Sequence, residues 1–162
     1  MPVMILINLK EKDSHAQMPK ASVKRLITKQ KDKLINFVLD IDKYPEFIPF
    51  CLDSKVYEKK QSGNMTLIIA DLTIGKGPFT DTYKSDVRYN KNDDTIFVTN
   101  IDGPLNYLKN NWRFIEKDNL TEVYFDVDFE IKNKFLNIIM ASSFQYGLDK
   151  IADAFQKRAE EL

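Results

Sequence analysis

Toward the C-terminus, Phe144, Leu148, Ile151, Phe155, Ala159 and Leu162 recur at steps of four, three, four, four and three, the repeat of one face of an α-helix. Asp149, Lys150, Asp153, Gln156, Lys157, Glu160 and Glu161 fill the other face. Such a helix needs water on one side and an apolar surface on the other. Phe135, Leu136, Ile138, Ile139 and Met140 carry the apolar character upstream without a proline, and the pattern predicts one helix over 134–162, roughly 40 Å long at about 1.5 Å per residue. Gly147, which costs roughly 1 kcal/mol in a helix interior relative to Ala, is expected to mark either a place where that helix flexes or a close approach to the sheet.

Upstream the period changes from helical to alternating. The clearest strand is 120–131, where Val123, Phe125, Val127, Phe129 and Ile131 face one way and Tyr124, Asp126, Asp128 and Glu130 the other. Similar patterns predict strands at 21–27, 55–59, 65–72, 81–89, 95–100 and 105–115. In the last of these, Leu105 and Tyr107 are in one phase and Trp112 and Phe114 in the other, so a bulge is expected near Lys109–Asn111. Leu34, Phe37 and Val38 are spaced for a short helix at 31–39. A second short helix is expected around Pro45, ended by Pro49. Gly75-Lys76-Gly77-Pro78 reads as a connection between strands, since a phosphate cradle would carry a dinucleotide spacing and precede a helix. The count is one strand, two short helices, six strands and one long helix. This predicts an α+β domain in which a curved antiparallel sheet of about seven strands grips the long helix.

The aromatics Phe79, Tyr83, Tyr107, Trp112, Phe114, Phe125, Phe129 and Phe144 are candidates for the space between sheet and helix. They either fill a solid core or, with Leu105, Val127 and Leu148, line an apolar tunnel. Carboxylates do not accompany them: Asp126, Asp128 and Glu130 lie on the wet side of their strand, and nothing selects Asp71, Asp81 and Arg88 as an acid/base group. No catalytic signature is present, so the chain is expected not to be an enzyme.

Composition narrows the classes further. The 162 residues, 43% hydrophobic and 30% charged, suit one soluble domain with a real core. The 24 basic and 24 acidic side chains cancel, which argues against a dedicated DNA binder. Locally the balance is uneven, with eight Lys/Arg against three acids between Lys10 and Lys33. Within that stretch Lys24, Lys29 and Lys31 are candidate contacts for a phosphate-rich surface, membrane or ribosome. Cys51 is the single cysteine and His15 the single histidine, so no intrachain disulfide and no soft-metal site is expected. Val3–Leu9 is too short to span a bilayer. With no signal-peptide pattern, a cytoplasmic protein is expected.

Four stretches together resemble a known family. They are Tyr44-Pro45-Glu46-Phe47-Ile48-Pro49-Phe50-Cys51, Gly103-Pro104-Leu105-Asn106-Tyr107-Leu108 leading to Trp112-Arg113-Phe114, Val127-Asp128-Phe129-Glu130-Ile131, and Ala154-Phe155-Gln156-Lys157-Arg158-Ala159. In that order the chain resembles the coenzyme Q-binding protein family of the START-like (polyketide cyclase/dehydrase, helix-grip) superfamily, with Phe50 where the family often has Trp. Met18-Pro19 looks like the family's usual start, so 1–19 are expected to form an N-terminal extension and 20–162 the ligand-binding domain. The resemblance implies binding of ubiquinone or a related polyprenyl lipid in support of respiratory electron transfer, with no other cofactor and with peripheral contact at the inner face of the inner membrane. The same family includes ribosome association toxins, which implies the alternative of a protein that blocks ribosomal subunit joining. The wider superfamily implies a third, a cyclase or dehydratase.

Overall fold

The structure, a computed structural model, describes residues 20–141 and 143–162, apart from the side chains of Phe79 and Ile139. Seven strands follow the alternating stretches: β1 (Lys20–Ile27), β2 (Cys51–Ser62), β3 (Met65–Lys76), β4 (Phe79–Asn90), β5 (Thr95–Asp102), β6 (Leu105–Lys117) and β7 (Leu120–Ile131). Between β1 and β2 lie helix α1 (Lys31–Leu39) and a 3-10 helix (Ile41–Glu46); after β7 come α2 (Lys134–Ala141) and α3 (Phe144–Glu160). The sheet is antiparallel throughout, in the order β1-β7-β6-β5-β4-β3-β2. The first strand thus closes beside the last, with Lys20 opposite Asp128 and Ile27 opposite Thr121.

Most strands run longer than the sequence pattern implies. The expected loop 74–79 shrinks to a tight turn because β3 continues to Lys76 and β4 starts at Phe79. Gly77 makes this possible at φ +57°, a conformation that a side chain rarely adopts. The bulge in β6 falls between Leu105 and Tyr107, not near Lys109–Asn111. Beyond it Leu108, Asn110, Trp112 and Phe114 are all buried, in strict alternation. An extra residue beside the Gly103-Pro104 turn resets the phase before the long paired stretch begins.

The expected single helix is two. Ser143 sits at φ −121°, ψ 6°, outside helical geometry, and separates α2 from α3. Serine favours such a site because its short polar side chain competes for nearby backbone groups. The break therefore lies at Ser143, not at Gly147, whose N–H bonds the Ser143 carbonyl at 3.1 Å within α3. The buried stripe of α3 is Phe144, Leu148, Ala152, Phe155 and Ala159, with Leu162 40% exposed.

α3 lies along β1 and covers that sheet edge. Gln145 Nε2 donates to the Ser22 carbonyl at 3.1 Å and Gln156 Nε2 to the Leu26 carbonyl at 3.2 Å. Arg25 reaches Asp153 at 3.0 Å and Asp149 at 3.7 Å. Carbonyls that would otherwise invite another strand are thereby occupied.

Candidate functional site

The interior divides into two apolar clusters. One is built from α1 (Leu34, Ile35, Val38, Leu39), Trp112 and Phe114 of β6, and Phe155 and Ala159 of α3, with Phe37, Tyr44 and Phe47 packed on it. The other joins Val127 and Phe129 of β7 to Phe144, Leu148 and Ala152 of α3, with Tyr83 and Leu105 packed on it. Phe125 and Val98 touch both. At the centre of the first cluster the Phe155 ring lies 5.2 to 5.7 Å from the rings of Phe37, Tyr44, Phe47 and Trp112, at the edge-to-face angles that aromatic quadrupoles favour.

A cavity of about 30 Å³ lies where α1 and α3 meet the sheet. β1 contributes Val23, Arg25 and Ile27, and α1 contributes Leu34, Phe37 and Val38. β6 and β7 add Trp112, Phe114, Val123 and Phe125, and α3 closes it with Ala152, Phe155 and Ala159. Two of the three α3 residues are alanines, and their small side chains leave this space. Arg25 is the one charged member, and its guanidinium is engaged by Asp153, so its aliphatic stem faces the cavity. The volume suits about one or two water molecules. An isoprenoid chain does not fit it, so the expected tunnel is not open; side chains of the two clusters occupy that space.

The expected lining residues distribute unevenly. Trp112, Phe114 and Phe125 line the cavity. Leu105, Tyr83, Val127, Phe129, Phe144 and Leu148 belong to the neighbouring cluster. Tyr107 is a correction. The bulge at Leu105/Tyr107 turns it to the outer face, where its hydroxyl donates to Asp128 at 2.9 Å. The side chain of Phe79 lies outside the described residues. The contribution of α1 and of β1 was missed, although the spacing of Leu34, Phe37 and Val38 already pointed one face of α1 inward.

Polar groups that reach the interior are mostly engaged. Asn110 Oδ1 accepts the Trp112 indole N–H at 3.0 Å while its Nδ2 donates to the Asp126 carbonyl at 2.9 Å. Ser85 Oγ donates to the Ala70 carbonyl at 3.3 Å, and the Tyr44 hydroxyl to the Val38 carbonyl. Burial pushes the Tyr83 phenol well above the usual tyrosine range. Asp126, Glu130 and Asp71 stay outside, bonded by Asn111, Asn106 and Tyr57, and the buried Glu122 is covered by Lys24 and Lys117.

Cys51 is buried, and burial, with the Asp53 charge second, pushes its thiol up to about 11. At pH 8 the thiolate fraction is then on the order of a hundredfold below that of an ordinary cysteine. Iodoacetamide should accordingly label the native chain on the order of a hundredfold more slowly than it labels the urea-unfolded chain. Comparable rates in both states would show an accessible, reactive thiol.

The three lysines expected to contact phosphate are all engaged within the fold. Lys31 faces Asp94 at 2.8 Å, while Lys24, half exposed, faces Glu122 at 3.4 Å and shares that carboxylate with Lys117 at 2.8 Å. Lys29 Nζ donates to the main-chain oxygen of Leu162 at 2.8 Å and borders a shallow polar cleft that also holds Lys33, Glu116 and Asp118. Mixed charge of this kind makes no anion site. Lys10 and Lys12 lie outside the described residues.

Among known proteins, the family described as polyketide cyclase / dehydrase and lipid transport matches residues 31–156. The chain is 32% identical over 133 residues to the ribosome association toxin RatA of Rickettsia prowazekii, covering 80% of this chain and 88% of that one. It is 30% identical over 157 residues to the mitochondrial coenzyme Q-binding protein COQ10 of Dictyostelium discoideum, covering 93% and 75%. The solution structure of an 18 kDa protein from Caulobacter crescentus superposes with a TM-score of 0.73 at 26% identity, over 89% of this chain and 97% of that one. An aromatase/cyclase from a Streptomyces species superposes at 0.72 with 12% identity, over 89% and 94%, a likeness of fold alone. Among the described residues no helix is long and apolar enough to cross a membrane.

Proposed function

This chain belongs to the polyketide cyclase / dehydrase and lipid transport family, and from that premise we propose that it binds ubiquinone or a related polyprenyl lipid between α3 and the sheet and supports respiratory electron transfer as its carrier. The observation that carries this reading is the apolar cavity under α3, lined by Trp112, Phe125 and Phe155 and left open by Ala152 and Ala159. Because the ligand-free cavity is small, uptake requires α3 to part from the sheet and the aromatic side chains to repack around an isoprenoid chain. Apolar surface gives about 25 cal/mol per Å² removed from water, so a long chain binds without a charged anchor. A carbonyl of the quinone head would take its hydrogen bond from the hydroxyl of Tyr83, which packs on the cluster beside this cavity. The similarity to COQ10 of Dictyostelium discoideum supports the same ligand class. We read the chain as a binder and not an enzyme, because the carboxylates Asp71, Asp126, Asp128 and Glu130 sit outside the apolar interior.

A second reading is favoured by the Rickettsia relative, named for ribosome association: binding to a ribosomal subunit. The two separate in one experiment. Purified protein is extracted with organic solvent for mass spectrometry, and in parallel is sedimented with ribosomal subunits. A carrier yields a quinone or polyprenyl lipid approaching one per chain, with no saturable pelleting. Saturable binding to one subunit with a lipid-free extract would replace the carrier by the ribosome reading.

A further inference from the structure

α2 presents two faces. Inward, Asn137 is buried and its Oδ1 accepts the Ile131 N–H at 3.1 Å, while Met140 packs on the cluster of Phe129, Phe144 and Leu148. Outward, Phe135 is 71% and Ile138 58% exposed, one helical step of three apart and therefore neighbours on the surface. Tyr146, in the first turn of α3, is 60% exposed. Single exposed apolar residues are ordinary; an adjacent Phe and Ile on one short helix make a patch.

The chain segment that carries this patch is basic. From Lys132 to Leu148 the sequence holds Lys132 and Lys134 and no carboxylate. Lys150 follows, 5.2 Å over the Tyr146 ring. Of the flanking acids, Asp149 faces Arg25 at 3.7 Å, and Glu130 accepts from Asn106 at 2.9 Å and keeps its charge. Lys31, by contrast, is paired with Asp94 at 2.8 Å.

We propose that the outer face of α2, with Phe135 and Ile138 inserted and Lys132, Lys134 and Lys150 at its rim, docks this protein on an anionic lipid bilayer. Apolar side chains ringed by lysines suit the headgroup boundary, where aliphatic groups enter the acyl region and ammonium groups meet phosphate. A nucleic-acid surface would reward dense cations and stacking rings, and has no use for Ile138. Docking there sets the bilayer against the end of α3 where Phe144 and Leu148 cover the interior, the path that a lipophilic ligand would take. The proposal rests on the carrier reading for its purpose, though not for its measurement.

The test is co-sedimentation of the full chain with vesicles of phosphatidylcholine alone or mixed with phosphatidylglycerol. Binding should require the anionic lipid and weaken with salt. F135S/I138S and, separately, K132E/K134E should each lower the partition coefficient at least about tenfold. Because all four side chains are exposed, the unfolding midpoint should not move. Quinone binding in solution, read by Trp112 fluorescence, should be retained in F135S/I138S. If vesicle binding is absent or is unchanged in both variants, the docking surface is wrong while the quinone titration still judges the carrier. Equal loss of ribosomal-subunit binding in these variants, or a dimer in solution that F135S/I138S dissociates, would likewise overturn the proposal by assigning the face another partner.

Discussion

Replacing Phe155 by Ala should cost about 3–5 kcal/mol of folding stability, the range for truncating a buried phenylalanine. Phe155 is 7% exposed, and its ring meets Phe37, Tyr44, Phe47 and Trp112. The substitution removes what is, among the described residues, the only side chain that ties α1, the 3-10 helix region and β6 to α3 through ring contacts. It also enlarges an existing cavity instead of letting the site collapse, because Phe155 already lines one. Domains of this kind are stable by about 5–15 kcal/mol, so the loss is a large share of the total. Urea unfolding monitored by circular dichroism measures it. Phe135→Ala is the matched control: 71% exposed, it should shift stability by no more than about 0.5 kcal/mol. Comparable losses for the two would mean that α3 does not pack on the sheet as described.

Ala152→Leu should separate ligand binding from folding. Ala152 is 7% exposed and borders the cavity opposite Trp112 and Phe125. Three added carbons occupy space that is empty in the ligand-free chain, so overpacking should cost no more than about 1–3 kcal/mol. The same carbons obstruct the place where an isoprenoid chain would lie. Quinone affinity should fall at least about tenfold, or about 1.4 kcal/mol. Retained affinity in a folded variant would place the ligand elsewhere.

The sheet was legible because each strand has one wet face, so the pattern of Val123, Phe125, Val127 and Phe129 against Asp126 and Asp128 encodes both strand and orientation. Helix α3 was legible for the corresponding reason, its stripe having to meet that sheet. What escaped depends on single residues whose local signal is weak. Ser143 breaks the C-terminal helix without a proline or glycine. The β6 bulge moves by a few residues and thereby turns Tyr107 from the expected tunnel to a bond with Asp128. The cavity wall provided by Leu34, Phe37 and Val38 depends on where α1 docks, which is a tertiary contact that no local period records. Small residues were the overlooked clue: Ala152 and Ala159 stand one face-repeat apart on α3, and a stripe that skips large side chains leaves room beneath it. Charge was the least legible feature, since a count of lysines between Lys10 and Lys33 does not show that Glu122 and Asp94 already face two of them.

Trp112 is the single tryptophan and lines the cavity, which makes its fluorescence a direct report on occupancy. The decisive measurement is titration of the lipid-extracted chain with a short-chain ubiquinone, wild type beside Ala152→Leu. Binding under α3 predicts quenching that saturates at about one quinone per chain, with the Ala152→Leu midpoint displaced at least about tenfold. Quenching that rises linearly without a plateau, and equally in both proteins, would be collisional and would contradict a quinone site in this cavity.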